Sequence, residues 1–96
     1  MYEEFLHKKV LIRCVNSGVY YGTLENIEGS TAVLSNLRNI WLWEGATCLA
    51  QIANDGIRGG KVSQEVSEAV FTDVCQVFPL TEIAILSLDK IPAWKM

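Results

Sequence analysis

The chain has 96 residues, half of them hydrophobic, and a formal net charge of −3. This length predicts one domain over residues 1–96, with a small interior. The acidic balance excludes a protein that coats long DNA or RNA, because such proteins need a broad basic surface. The apolar share indicates either an unusually apolar core or apolar surface buried between subunits. We favour the second and expect a homo-oligomer.

The three cysteines, Cys14, Cys48 and Cys75, are widely spaced and include no CxxC pair. This pattern is typical of reduced thiols in a cytosolic protein and does not match a zinc site. No N-terminal apolar run follows a basic segment, and no apolar stretch reaches the length of a membrane span. We therefore predict a cytoplasmic protein that makes no membrane contact.

The sequence contains no recognisable catalytic arrangement. His7 is the only histidine, and we expect it on the surface near the N-terminus. No carboxylate pair is joined to a nucleophile or to a metal-binding pattern, and the glycines around Gly59 lack the spacing of a phosphate-binding loop. We predict a binding protein with no catalytic residues, metal or cofactor.

The first half of the chain alternates β-branched and aromatic runs with short turn sequences. Four runs have this strand-like composition: 10–15, 19–27, 31–35 and 39–43. The first three are joined by tight turns, which predicts an antiparallel meander. Gly22, inside the second run, predicts a bend or bulge.

The second half of the chain mixes helix and strand patterns. Residues 47–54 have helical spacing, 57–68 are polar and glycine-containing and predict a mobile loop, and 69–78 alternate as a strand does. Thr81 is a suitable cap for a short last helix, which Pro92 would end.

These elements together predict an α+β fold. We expect a small antiparallel curled sheet, or a partly open barrel, of about five strands. One helix packs across this sheet, and a short helix follows near the C-terminus.

The most informative stretch is 38–46. On a regular strand, Ile40 and Leu42 point to one face and Trp41 and Trp43 to the other. The aliphatic pair suffices for a core. The two indoles are then either buried, under the following helix or at a subunit interface, or they form an aromatic shelf for a flat ligand such as a nucleobase.

Cations and a helix start flank this stretch. They are Arg38 before it, Arg58 and Lys61 after the helix, and the segment from Gly45 to Thr47 at the predicted helix start. Each cation is either a solvated surface charge or a phosphate ligand, and free N–H groups at a helix start favour anions. The candidate ligand-binding residues are Arg38, Trp41, Trp43, Gly45, Thr47, Arg58 and Lys61.

Two resemblances follow from these residues. Segment 18–24, with 28–29 and 32–34, resembles the first half of an Sm-like or SH3-like barrel. The motif Ile-Trp-x-Trp-x-Gly-Ala at 40–46, with the closing segment 91–95, resembles a family of short uncharacterised proteins of tailed phages and prophages. The second similarity spans most of the chain from Val10 onward.

The phage resemblance implies a function for a small protein without catalytic motifs. We expect a homo-oligomeric counter-defence protein, in the cytoplasm of an infected bacterial host, that binds and sequesters a small nucleotide-type immune signal. The alternatives are a protein–protein inhibitor of a host defence factor and a phage assembly or structural protein. The expected partners are other copies of the chain, a nucleotide-like ligand or a host protein.

Overall fold

A computed structural model describes residues 3–95 of the chain. Over this part the chain forms a 3-10 turn, six strands and two α-helices. In chain order they are the turn Glu3–Phe5, β1 Lys9–Cys14, β2 Gly18–Glu28, β3 Thr31–Glu44, α1 Leu49–Asp55, β4 Gly59–Val62, β5 Val66–Phe71, β6 Val74–Pro79 and α2 Glu82–Asp89.

All strand pairs are antiparallel, and the sheet order is β4-β3-β2-β1-β6. The long strand β3 also pairs with β5 along its first half, while β4 pairs along its second half. β5 and β6 are consecutive in the chain and lie at opposite ends of the path β5-β3-β2-β1-β6. The sheet therefore curls until only a two-residue turn separates these ends. The predicted α+β class with a curled, open sheet is confirmed.

β3 is one strand where the sequence predicts two. The pairing with β2 shifts its register opposite Gly22, and Asn36 takes a positive φ of 48° at this point. A Cβ on Gly22 would lie 2.9 Å from the Cα of Leu37, so only glycine permits this approach of the two strands. The bulge predicted at Gly22 is confirmed. It bends β3 without interrupting it, and this bend is what the sequence presents as a gap between strands.

The segment 57–68 also differs from its prediction as a mobile loop, because it contains β4 and the start of β5. Gly60 has a φ of 146°, and a Cβ there would lie 2.8 Å from the Cα of Trp43. The glycines that suggest flexibility are thus required for close strand pairing. The strand predicted over 69–78 is divided in two by the turn at Thr72 and Asp73.

Two apolar clusters lie on opposite faces of the sheet. The first is enclosed by the curl and includes Val10, Ile12, Leu24, Leu34 and Phe71. The second lies between the sheet and the two helices, and its members are Leu11, Tyr21, Ile40, Ile52, Ala53, Ile57, Val62 and Leu88. Consecutive residues of β1 thus supply both clusters, since side chains alternate along a strand. The helix predicted to pack across the sheet is α1, and α2 packs beside it.

Asp73 fastens the β5–β6 turn to the β1–β2 turn. Its Oδ2 accepts hydrogen bonds from the backbone N–H groups of Asn16 at 2.7 Å and Ser17 at 3.2 Å. Its carbonyl oxygen accepts the N–H of Val15 at 2.8 Å. The N–H of Asn16, with that of Ser17 and its hydroxyl, holds the pKa of this carboxyl below its usual range.

This carboxylate predicts a specific acid sensitivity. A carboxyl whose pKa is lower in the folded chain stabilises the fold above its unfolded pKa, and this contribution is lost as pH falls through the folded value. We expect Asp73→Asn to lower the urea midpoint at pH 7 and to have a shrinking effect as pH approaches 3. The measurement is urea unfolding of both proteins between pH 3 and 7. Parallel curves across this range would contradict the assignment.

Candidate functional site

Arg38 is buried on the face of the sheet that the two helices cover. Only 8% of its surface is exposed, and it shares this face with Ile40, two residues further along β3. Its Nε donates to the carbonyl of Ser63 at 2.8 Å. Its Nη1 donates to the carbonyl of Leu88 at 3.2 Å and its Nη2 to that of Ile91 at 2.6 Å. One side chain thus joins β3, the β4–β5 connection and the end of α2.

Tyr21 and Asp89 extend this network. Arg38 Nη1 donates to the Tyr21 hydroxyl at 3.1 Å, and that hydroxyl donates to Asp89 Oδ1 at 2.9 Å. Lys9 Nζ lies 3.6 Å from the other carboxylate oxygen. Burial raises the pKa of Tyr21 to about 12, with the hydrogen bond from Arg38 opposing this shift and the bond to Asp89 adding to it. The tyrosine is therefore neutral and links the two charged groups.

A polar cleft of about 430 Å³ lies over this network. Its lining residues are Lys9, Arg38, Gln64, Glu65, Asp89, Ile91, Ala93 and Lys95. The guanidinium already donates from all three of its nitrogens to protein acceptors. The geometry therefore favours a structural role for Arg38, and the phosphate contact predicted from the sequence stays a prediction.

A second bulge, at Trp41, controls which side chains of β3 face solvent. Ile40 pairs with Val62 and Leu42 with Lys61, so Trp41 is an extra residue with no partner on β4. Ile40 is 1% exposed, whereas Trp41 is 47% and Leu42 49% exposed. Trp43 instead packs against the second apolar cluster. The expected core pair Ile40 and Leu42 is therefore wrong, and of the two indoles Trp43 packs against this cluster while Trp41 is half-exposed at the bulge.

The exposed side chains at this bulge form part of a larger surface, which we call the tryptophan patch. It consists of Trp41, Leu42, Lys61 and Trp94. Lys61 is the cross-strand neighbour of Leu42, and its Nζ lies 4.6 Å from the centroid of the Trp94 ring. Trp94 is 49% exposed, and its backbone N–H donates to the carbonyl of Val62 at 2.9 Å. Leu42 and Trp94 thus flank one cation, and Trp41 precedes Leu42 at the bulge.

A shallow apolar groove of about 370 Å³, the helix groove, lies beside α1. Its lining residues are Arg13, Trp43, Cys48, Leu49, Ala50, Gln76 and Phe78. Trp43 and Phe78 supply aromatic surface, and Arg13 supplies a cation. Hydrogen bonds from the backbone of Gln51 and the side chain of Thr47 lower the pKa of the Cys48 thiol, which is exposed beside the groove.

The remaining predicted site residues lie near the start of α1. The N–H and hydroxyl of Thr47 both donate to Gln51 Oε1, at 2.9 and 3.0 Å, and the helix itself begins at Leu49. Arg58 lies across Gly45, where a Cβ would be 2.7 Å from Arg58 Cγ. The seven predicted residues therefore occupy separate places. They are the Arg38 network, the tryptophan patch, the helix groove, the contact between Gly45 and Arg58, and the turn before α1, where Thr47 bonds to Gln51.

Besides Leu42, which was expected in the core, sequence reasoning missed three residues of these surfaces. The sequence analysis places Trp94 only in the closing segment 91–95, and it places Phe78 and Arg13 only on strands. The signal for Trp94 was an aromatic residue shortly after Pro92, in a segment that continues past the last helix. Nothing local in the sequence brings Phe78 beside Trp43, because their approach depends on the helix layer.

Across the described part of the chain, no group of three His, Cys, Asp or Glu side chains is arranged to hold a metal ion. Within residues 3–95, neither helix is long and apolar enough to cross a lipid bilayer.

Comparison with known proteins gives one family. The sequence model of a domain of unknown function, DUF6948, matches residues 7–88. The chain belongs to the DUF6948 family. No curated protein matches it in sequence. The DUF6948 match covers both apolar clusters, Arg38 and the two tryptophans of β3, while Trp94 lies beyond it. The tryptophan patch therefore combines matched residues with one residue outside the match.

The buried network makes Arg38 a stability residue of this DUF6948 chain. Arg38→Met leaves three carbonyl oxygens without their donor, and we expect a loss of about 3 kcal/mol in the free energy of unfolding. Arg38→Lys should not restore it, because an ammonium group lacks the planar fork. Urea denaturation measures both. The control Arg13→Met removes an exposed cation and should change stability by less than about 0.5 kcal/mol; equal effects at the two positions would refute the network.

Proposed function

We propose that this protein is a non-catalytic phage counter-defence protein that acts by binding a host protein through the tryptophan patch. The observation that carries this proposal is the joint exposure of Trp41 and Leu42 at the β3 bulge and of Trp94, whose ring centroid lies 4.6 Å from Lys61 Nζ beside Leu42. The patch uses residues that the sequence analysis selected for binding, Trp41 and Lys61, and adds two that it did not.

Exposed apolar side chains gathered in one place are costly to leave in water. Single exposed apolar residues are ordinary, but a contiguous group with a polar border is typical of an interaction surface. Tryptophan is also enriched among the residues that dominate protein–protein binding energy. The β3 bulge turns both Trp41 and Leu42 outward, although one of two adjacent strand residues would normally face the core.

A protein partner fits this surface better than a small ligand does. Small-molecule sites are concave and enclose most of their ligand. The polar cleft and the helix groove are lined by other side chains than Trp41, Leu42 and Trp94. A surface of half-exposed side chains outside these clefts is suited to contact with a second macromolecular surface.

The phage setting rests on the resemblance of the motif at 40–46 and the closing segment 91–95. Both lie in the patch or beside it. Trp41 and Leu42 belong to the motif, and Trp94 belongs to the closing segment. The features that carry the resemblance are therefore those that would contact the partner, and a short phage protein that binds a host factor is a common form of inhibitor.

The test is capture of a host protein by the purified chain. We expect a stoichiometric band from bacterial lysate with the wild-type protein and at least about 30-fold weaker binding with Trp41→Ala, as for truncation of a dominant interface residue. Ile83→Ala is the matched control, because Ile83 is also an exposed apolar residue but lies on α2. Binding that survives Trp41→Ala, or no host band at all, would refute this proposal.

A second candidate function is sequestration of a nucleotide-type signal in the helix groove. The observation that favours it is the placement of Trp43 and Phe78 beside Arg13, since an aromatic wall stacks a base and an arginine pairs with phosphate. This proposal keeps the homo-oligomer expected from the apolar composition, with a second copy closing the shallow groove.

The nucleotide proposal has its own measurement. Thermal shift with a panel of cyclic di- and trinucleotides and cyclic ADP-ribose isomers should show stabilisation at micromolar concentration, and heating should release the ligand intact. Arg13→Gln should abolish the shift, and Trp41→Ala should leave it unchanged. Absence of a shift with every ligand would end this candidate, and recovery of a converted ligand would indicate catalysis instead.

A further inference from the structure

The cation of the tryptophan patch, Lys61, has no ion-pair partner among the described residues. Lys61 lies on β4, Arg58 directly precedes this strand, and Lys95 follows Trp94. Over residues 3–95 none of the three has a carboxylate within ion-pair distance, whereas Lys9 pairs with Asp89. Glu44, whose Oε1 lies 3.2 Å from the position of a Cβ on Gly59, is the carboxylate at the far end of β4. Glu65 and Asp89 line the polar cleft together with Lys95. Lys61, the cation of the patch, is thus without an ion-pair partner in the part of the chain that the structure describes, on a chain of net charge −3.

The outer edge of β4 is also largely unused. β4 is the terminal strand of the sheet and pairs with β3 alone. Within the described residues, its outer edge is contacted by the closing segment at Val62, through a parallel bridge to Ala93 and the N–H of Trp94. At Gly59 and Gly60, no described residue outside β3 bonds to this edge, and such edges are a common site of strand addition.

We propose that the partner contributes an extended acidic segment, which adds to the outer edge of β4 and carries the pattern acidic residue, any residue, large apolar residue. This inference rests on the proposed function and names the chemistry of its partner. The acidic residue lies opposite Lys61 on the added strand. The apolar residue, two positions further on, faces the same side of the sheet and covers the bare backbone at Gly59.

Cross-strand geometry fixes this pattern. Residues opposite each other on adjacent strands have side chains on the same face, and opposite charges in such a pair are favourable. Lys61 and Leu42 already form one such pair, on the face of β4 opposite to that of the buried Val62. The next position on that face of β4, Gly59, has no side chain, so a large side chain on the added strand gains contact there. Leu42 and Trp94 border the same surface.

The probe is a blocked nine-residue peptide, Thr-Glu-Thr-Phe-Thr-Glu-Thr-Phe-Thr, which places Glu and Phe alternately on one face of a strand. Its controls replace both Glu residues with Gln or with Lys. In NMR titrations of the full chain, we expect the Glu peptide to shift the amides of Gly59, Gly60 and Lys61 and the indole signals. We expect it to bind at least about tenfold more tightly than the Gln peptide at low salt.

Charge reversal sharpens the test. Lys61→Glu should reverse the preference, so that the Lys peptide binds more tightly than the Glu peptide, and Lys8→Glu is the matched control at a distant surface position. Equal affinity for the Glu and Gln peptides, or shifts confined to other residues, would overturn the inference. So would stronger binding of an eight-nucleotide oligothymidine to the same amides, or a dimer that Lys61→Glu dissociates.

The two proposals fail in different ways. If a host protein is captured through Trp41 but neither Lys61→Glu nor the Glu peptide affects its binding, the proposed function stands and the acidic segment is wrong. If the Glu peptide binds as expected and lysate yields no host protein, the edge chemistry stands and the host-binding function is wrong.

Discussion

The structure depends on one buried guanidinium. Arg38 brings together the carbonyl groups of Ser63, Leu88 and Ile91, which belong to parts of the chain far apart in sequence. Burial of a charge is costly unless every polar atom is matched, and here Tyr21 and Asp89 complete the set. The end of α2 and the closing segment are consequently held against β3. Trp94 is therefore positioned by the Arg38 network, through Ile91, as well as by its own backbone bond to Val62.

The surface of the protein depends in turn on small residues and bulges. A regular β3 would keep Leu42 inside and turn Trp43 out. The extra residue at Trp41, with Gly60 close against the strand, reverses this arrangement. Trp43 then contributes to the core and to the helix groove, and Leu42 joins Trp41 in solvent. One inserted position on a strand thus assigns to two separate surfaces the residues that the sequence presents as a single aromatic motif.

Much of the fold follows from the sequence because it is locally encoded. Alternation and turn residues predict β1, β2 and most of β3, and Thr81 caps α2 as expected, accepting the N–H of Ala84. The site is less predictable, because strand register and burial are set by distant parts of the chain. Arg38 has the sequence appearance of a surface cation, and only its three long-range carbonyl partners make it structural. The glycine pair at 59–60 favours a loop locally, and only the approach of β3 makes it a strand.

β1 has a further consequence for how the molecule opens. Val10 and Ile12 belong to one apolar cluster and Leu11 to the other, so the strand is part of the interior on both sides. Neither apolar cluster can open without exposing a face of β1 to water. The curled sheet around the first apolar cluster and the two helices over the second are therefore expected to unfold as one cooperative unit. Amide hydrogens of β1 would then exchange with solvent only through global unfolding, more slowly than those of the edge strand β4.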